Sequence, residues 1–234
     1  MRNVMVCGLV FIGALSAGSA AAEWKGKGEA GIVFARGNTK NDNVNVKLGM
    51  ATDVEKWKHG FDVSAFQASN NGNKTANRYG AGWQSDYKLS ERSYWFGGLH
   101  YDADKFSGFD YQTSLTTGYG YKFFDTDTYK FSGQLGAGYR RSKNSLTGLT
   151  KGDAIATAGL NLERALTDTT KLFDKLTIEA GSSNTFAAND IGLQVKMSDK
   201  FAVSLGLGLR YNTKPPVGLK KSDTLTTVNL VYAF

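Results

Sequence analysis

The residues best placed for chemistry are His100, Asp102 and Asp104. On an extended strand alternate side chains share a face, so this spacing brings an imidazole and two carboxylates together. Such a group could activate water for hydrolysis. The competing reading is a polar cluster paired with basic residues across the interior of a barrel. His59, the other histidine, sits beside a turn and reads as solvated. A lipid-cleaving barrel would need Ser and His on its lipid face, and His100 has the wrong parity for that. With two histidines, candidates for a His-built zinc site or a His-dependent triad are few.

Asp102, Asp104, Gly108 and Asp110 resemble part of a calcium loop, but Phe106 occupies the next alternate ligand position and no downstream Glu closes the ring. A weak divalent-cation site stays open beside the plainer reading of a charged, hydrated turn. Gly26, Gly28 and Gly31 match the dinucleotide glycine spacing. That motif needs a helix N-terminus to hold pyrophosphate, and here an alternating strand runs through it. No cofactor and no metal is expected.

These groups need a scaffold, and the end of the chain indicates which kind. From Asp223 to Phe234, Thr224, Thr226, Val228, Leu230, Tyr232 and Phe234 share one face, and Asp223, Leu225, Thr227, Asn229, Val231 and Ala233 share the other. A strand that ends the chain on Phe, after Val228, Leu230 and Tyr232, resembles the assembly signal of bacterial outer-membrane β-barrels. The resemblance implies docking of this strand on the barrel-assembly machinery, escort by periplasmic chaperones, and a lipid bilayer around the finished fold.

Residues 1–22 read as a secretory signal peptide: Arg2, an apolar run from Val4 to Leu15, then small residues to Ala22. The apolar run is too short to span a bilayer as a helix. Residues 23–234 then form one domain of 234 − 22 = 212 residues, and the only cysteine, Cys7, leaves with the leader. Loss of Arg2 takes the net charge from +7 to +6, and the basic residues are scattered singly, a poor pattern for nucleic acid.

Beyond Glu23 the chain alternates between turn clusters, giving about twelve strands at a spacing of roughly 18 residues, the long repeat of a membrane barrel. They are placed at 24–36, 42–53, 59–69, 77–89, 93–104, 110–124, 129–141, 153–165, 172–183, 188–198, 201–212 and 223–234. Outward faces read Ala30, Ile32 and Phe34; Val44, Val46 and Leu48; Tyr79, Trp83 and Tyr87; Leu115 and Tyr119; Leu205, Leu207 and Leu209. Inward faces carry Lys47, Arg78, Asp86, His100, Asp102, Asp104, Arg140, Glu163 and Arg210 as candidates for lining a lumen. Aromatics gather near the strand ends: Trp24, Trp57, Tyr87, Trp95 and Tyr232 on the side assigned to the periplasm, and Phe34, Phe66, Tyr79, Tyr101, Tyr139 and Tyr211 on the other. Two such belts are what two membrane interfaces select. Longer outer connections are expected at Ser69–Ala76, Ser142–Gly152 and Asn212–Ser222.

The run Glu29-Ala30-Gly31 into Gly37-Asn38-Thr39, the segment Tyr101 to Gly108, the Gly118-Tyr119-Gly120-Tyr121 repeat and the terminal Tyr232-Ala233-Phe234 together resemble the bacterial family of salt-induced outer-membrane proteins, a domain of unknown function. The resemblance implies an outer-membrane barrel, responsive to salt, and supplies no catalytic residues. The expectation is an all-β, transmembrane, antiparallel up-and-down barrel of about twelve strands in the outer membrane, and not an enzyme. Two functions stand side by side: a narrow porin-like channel for ions or small polar solutes, and a closed structural barrel with a charge-paired lumen. In the channel, Lys47, Arg78, Arg140 and Arg210 would oppose Asp86, Asp102 and Glu163. An outer-membrane hydrolase using His100 with Asp102 and Asp104 is the smaller alternative.

Overall fold

A strand that is greasy on one face and polar on the other can bury its backbone hydrogen bonds in hydrocarbon only if the sheet has no edge. The computed structural model describes residues 23–35, 41–71, 73–104, 108–215 and 218–234, with side chains except at 32–35 and 41–42. The expected leader and Phe106 of the calcium-like turn lie outside what is described, as do the side chains of Ile32 and Phe34. Twelve strands run in order: β1 (Trp24–Ala35), β2 (Asn41–Val54), β3 (Trp57–Asn70), β4 (Asn73–Lys88), β5 (Ser93–Asp104), β6 (Phe109–Asp125), β7 (Tyr129–Asn144), β8 (Thr150–Ala165), β9 (Thr170–Gly181), β10 (Thr185–Lys196), β11 (Phe201–Asn212) and β12 (Ser222–Ala233). Each pairs antiparallel with its sequence neighbours, and β1 pairs with β12, closing the barrel.

The closing ladder is short, matching Lys27–Ala30 with Ala233–Leu230. Reciprocal bonds between Gly26 and Phe234 extend it, both N–H to O at 2.9 Å. The Phe234 ring lies over Gly26, where a Cβ would come within 2.6 Å of its Cε2. Val228, Leu230, Tyr232 and Phe234 are all exposed on the outer surface. Tyr232 packs on Phe201 of β11 with ring centroids 5.2 Å apart.

The outer surface is apolar. Leu115 and Leu135, at 64% and 70% exposed, would be untenable in water in such numbers, and they sit in a band with Val46, Trp83, Leu205 and Leu207. This is a transmembrane surface. Two outward pairs depart from it: Asn189 donates to Asp174 at 2.5 Å on the lipid-facing side of β9 and β10, and His59 bonds to Ser85 across β3 and β4.

At the end that holds both termini the turns are short, as at Glu55–Lys56, where Glu55 takes a φ of 47°. At the far end the strands run further than expected. The Ser69–Ala76 connection is mostly strand, since β3 reaches Asn70, β4 starts at Asn73, and Asn71 turns the chain at φ 51°. Likewise β7 continues to Asn144 and β8 begins at Thr150. A tilted strand of β7's length rises about 40 Å, well past an apolar band of about 25 Å. Beyond the bilayer both faces meet water, so Asn, Lys and Ser there are strand residues that read as loop.

Phe66 corrects the belt assignment: it lies opposite Arg78 and faces the lumen with it. Glycines on the inward face make room for long neighbours, as expected. The Tyr94 ring covers Gly120, and a Cβ at Gly192 would come within 2.6 Å of Phe173.

Leu207 lies mid-strand on the lipid-facing side of β11. Leu207→Arg should lower the unfolding free energy in lipid by about 2–4 kcal/mol, read by urea titration in vesicles; unchanged stability would contradict the facing.

Candidate functional site

The lumen wall is built by inward side chains whose parity the ladders fix. Two regions differ in character. Toward the far end the wall is packed with paired charges, and in the middle it exposes polar side chains.

At the far end Arg140 of β7 is 2% exposed. Its Nη1 reaches Glu179 Oε2 at 3.4 Å, its Nη2 lies 3.9 Å from Asp153 Oδ2, and it donates to the Asn184 carbonyl. Ser114 donates to Glu179 at 2.8 Å. Asp153 accepts from the Ser182 and Ser183 hydroxyls, each at 2.7 Å, and from the Ser183 N–H at 2.9 Å. Asn184 in turn donates to Asn212 at 2.7 Å. The β9–β10 connection is thereby tied onto the lumen wall. A guanidinium removed from water this far is tolerable only with such partners.

Arg78 holds Asp104 through Nε at 2.7 Å and Nη2 at 2.5 Å. Arg210 grips Asp190 with two parallel bonds of 3.2 and 3.0 Å, the planar fork geometry that guanidinium favours. Between these pairs, with Phe109 and Phe186, remains a cavity of about 10 Å³. A second, of about 30 Å³, is lined by Glu29, Lys47, Phe173, Asp190 and Asn229. Each has room for about one water. Asn229 links Asn45 at 3.0 Å to Glu29 at 3.2 Å, a polar chain behind the closing seam.

Mid-lumen is different. Asp62, His100 and Lys175 are inward by register and exposed. Toward the terminus end Tyr94 and Phe96 are buried against the wall, with Gln134 donating to the Tyr94 hydroxyl at 3.0 Å.

All nine lumen candidates face inward, but their partners differ from those expected. Arg140 meets Glu179 and Asp153 rather than Glu163, which lies 3.5 Å from Lys171 at the terminus end. Arg78 takes Asp104, and Asp86 accepts from Gln84 at 2.7 Å. Asp104 is thus engaged by Arg78, leaving His100 with Asp102, whose Oδ1 is buried with no hydrogen-bond partner among the described residues. That weakens the water-activating trio. Asp110 of the calcium-like turn pairs with Lys143 at 3.2 Å, and among the described residues no three potential metal ligands converge. His59 is not simply solvated: it is half-buried, stacked on Trp57 and bonded to Ser85. Sequence reasoning missed Asp153, Asp190 and Asn184 as network members. Asp190 did sit at an inward position of a predicted strand.

Residues 28–234 match the family described as "Protein of unknown function, DUF481". The chain belongs to this family. The family description makes no reference to salt. A relative in Escherichia coli (strain K12), "Uncharacterized protein YdiY", is 24% identical over 216 residues, 92% of this chain and 85% of that protein. Among solved structures, the COG4313 outer membrane channel from Pseudomonas putida F1 aligns with a TM-score of 0.52 at 11% identity, covering 93% of this chain and 97% of that one. The translocator domain of the autotransporter NalP from Neisseria meningitidis aligns at 0.49 and 15% identity, over 89% and 86%. These likenesses concern the fold.

Arg140→Met should destabilise the barrel by about 3–5 kcal/mol because it strands buried carboxylates, and adding Glu179→Gln should recover part of the loss. Urea unfolding of both variants in micelles checks the coupling; purely additive losses would show that the two residues are not coupled.

Proposed function

We propose that the protein is an integral outer-membrane barrel acting as a narrow channel for ions or small polar solutes, with both termini and the short turns in the periplasm. The observation that carries the reading is the exposure of Asp62, His100 and Lys175 inside the barrel, a hydrated middle section bounded by charged walls. Arg78, Arg210 and their carboxylate partners form the constriction, so passage requires these side chains to move. A solved barrel that shares the fold is itself described as an outer membrane channel. In this reading the protein is not an enzyme, residues 1–22 direct export, and Val228, Leu230, Tyr232 and Phe234 present the last strand to the assembly machinery after periplasmic chaperones deliver it.

The second reading, a closed structural barrel, is favoured by the depth of the Arg140 network at the far end and by interior cavities no larger than about one water. Conductance of the refolded protein in a planar bilayer separates the two. Discrete openings support the channel; an electrically silent insert leaves the closed barrel. If ions pass the constriction, the double variant Arg78→Ala, Arg210→Ala should move the reversal potential toward cation preference, since two fixed positive charges leave while Asp104 and Asp190 stay.

A further inference from the structure

His59 and Ser85 face lipid. Each shares the outward parity of its exposed neighbours Phe61 and Trp83, and the two sit opposite each other across β3 and β4. His59 Nδ1 and Ser85 Oγ are 2.7 Å apart. The imidazole lies flat on Trp57, with centroids 5.8 Å apart and planes 7° from parallel, and Trp57 meets Tyr87 edge-on at 5.0 Å. Ser85 also lies opposite Gly97 of β5, where an added Cβ would meet no heavy atom within 4 Å. The result is a notch in the lipid-facing wall. Its far side is Trp95, whose indole N–H is fixed to Thr117 Oγ1 at 2.9 Å, and Trp83 and Leu99, opposite each other, border it toward the bilayer middle. All four tryptophans of the chain, Trp24, Trp57, Trp83 and Trp95, are exposed on this side of the barrel.

Proton counting shows what the notch lacks. If Nδ1 accepts, the Ser85 hydroxyl donates to it and the Nε2–H of His59 is left over; if Nδ1–H donates, the Ser85 O–H is left over. Either tautomer leaves one donor, and among the described residues no acceptor meets it. The pair sits two to three residues inside the strand ends at Trp57 and Lys88, roughly 5–8 Å in projection. That is the depth of the aromatic belt, where phospholipid glycerol esters lie. Lys56 and Arg92 are exposed on the two turns below.

We propose that this notch binds one glycerophospholipid of the leaflet at the terminus end. An ester carbonyl accepts the spare donor of the His59–Ser85 pair, an acyl chain lies over Gly97 between Trp83 and Trp95, and the phosphate meets Lys56 and Arg92. Binding fits the site better than ester cleavage. Trp95 and Thr117 already spend their donors, the latter on the Phe96 carbonyl at 2.8 Å, so they offer nothing to a developing oxyanion. Among the described residues no carboxylate orients the His59 ring, as a nucleophilic pair would need. The inference stands whether or not the lumen conducts.

Native mass spectrometry of the full barrel, released from detergent in the presence of phosphatidylethanolamine with ester-linked chains, tests it. The wild-type protein should retain one lipid at activation energies that strip the rest. The double variant His59→Phe, Ser85→Ala, which removes both donors and keeps the stack on Trp57, and Gly97→Leu, which fills open space, should each weaken retention by about tenfold, the scale of one hydrogen bond or one lost contact surface. A diether analogue with the same headgroup, lacking the carbonyl, should bind the wild type as weakly as the ester lipid binds the double variant. Retention unchanged in the double variant, equal binding of the diether lipid, or no retained lipid at all would overturn the proposal. So would Ser85-dependent appearance of lysophospholipid, which would make the pair a hydrolase.

Discussion

Hydrocarbon offers backbone amides and carbonyls no partner, and the architecture follows from that one constraint. A sheet inside it must return to its first strand. Here the return is made between Lys27–Ala30 and Leu230–Ala233, locked by mutual bonds between Gly26 and Phe234. The last residue therefore closes the ring with its backbone, covers Gly26 with its ring, and completes the aromatic belt with Tyr232 and Phe201. A side chain at position 26 would displace the Phe234 ring from this place.

Closure creates an interior, and the interior is divided. Charges near the far end are satisfied by neighbours on adjacent or facing strands: Arg140 with Glu179 and Asp153, Arg78 with Asp104, Arg210 with Asp190. Such pairs are costly to desolvate and costlier to break, so they hold the wall in one arrangement. In the middle, Asp62, His100 and Lys175 are exposed rather than buried. Aromatic infill by Tyr94 and Phe96 over the glycines of β6 and β7 narrows the terminus end without placing charge there.

The strands and their facing were legible because a period of two is a strong signal wherever one side meets lipid. Thus β5 and β11 have the bounds expected of them, Ser93–Asp104 and Phe201–Asn212. The signal fades where both faces meet water, which is why the polar ends of β3, β4, β7 and β8 read as loops. Facing is also not partnership. Parity places Arg140 in the lumen, but which of Glu163, Glu179 and Asp153 it meets depends on strand stagger around the ring, a global quantity absent from local pattern. His59 illustrates a third limit: its neighbour Ser85 is 26 residues away, and only the β3–β4 register joins them.

The lipid-facing side is likewise not uniform. A polar row of Thr52, His59 and Ser85 crosses three strands inside the tryptophan-rich belt, where water and hydrocarbon meet and such groups are tolerated. The whole account rests on which residues touch lipid. Because Cys7 is the only cysteine, a barrel produced as residues 23–234 has none, and single cysteines placed from 203 to 209 in it can carry spin labels in vesicles. Collision with dissolved oxygen should dominate at 203, 205, 207 and 209, and collision with a water-soluble nickel chelate should be greater at 204, 206 and 208. Equal nickel access along the whole stretch would contradict a lipid-facing side and, with it, the barrel's place in the membrane.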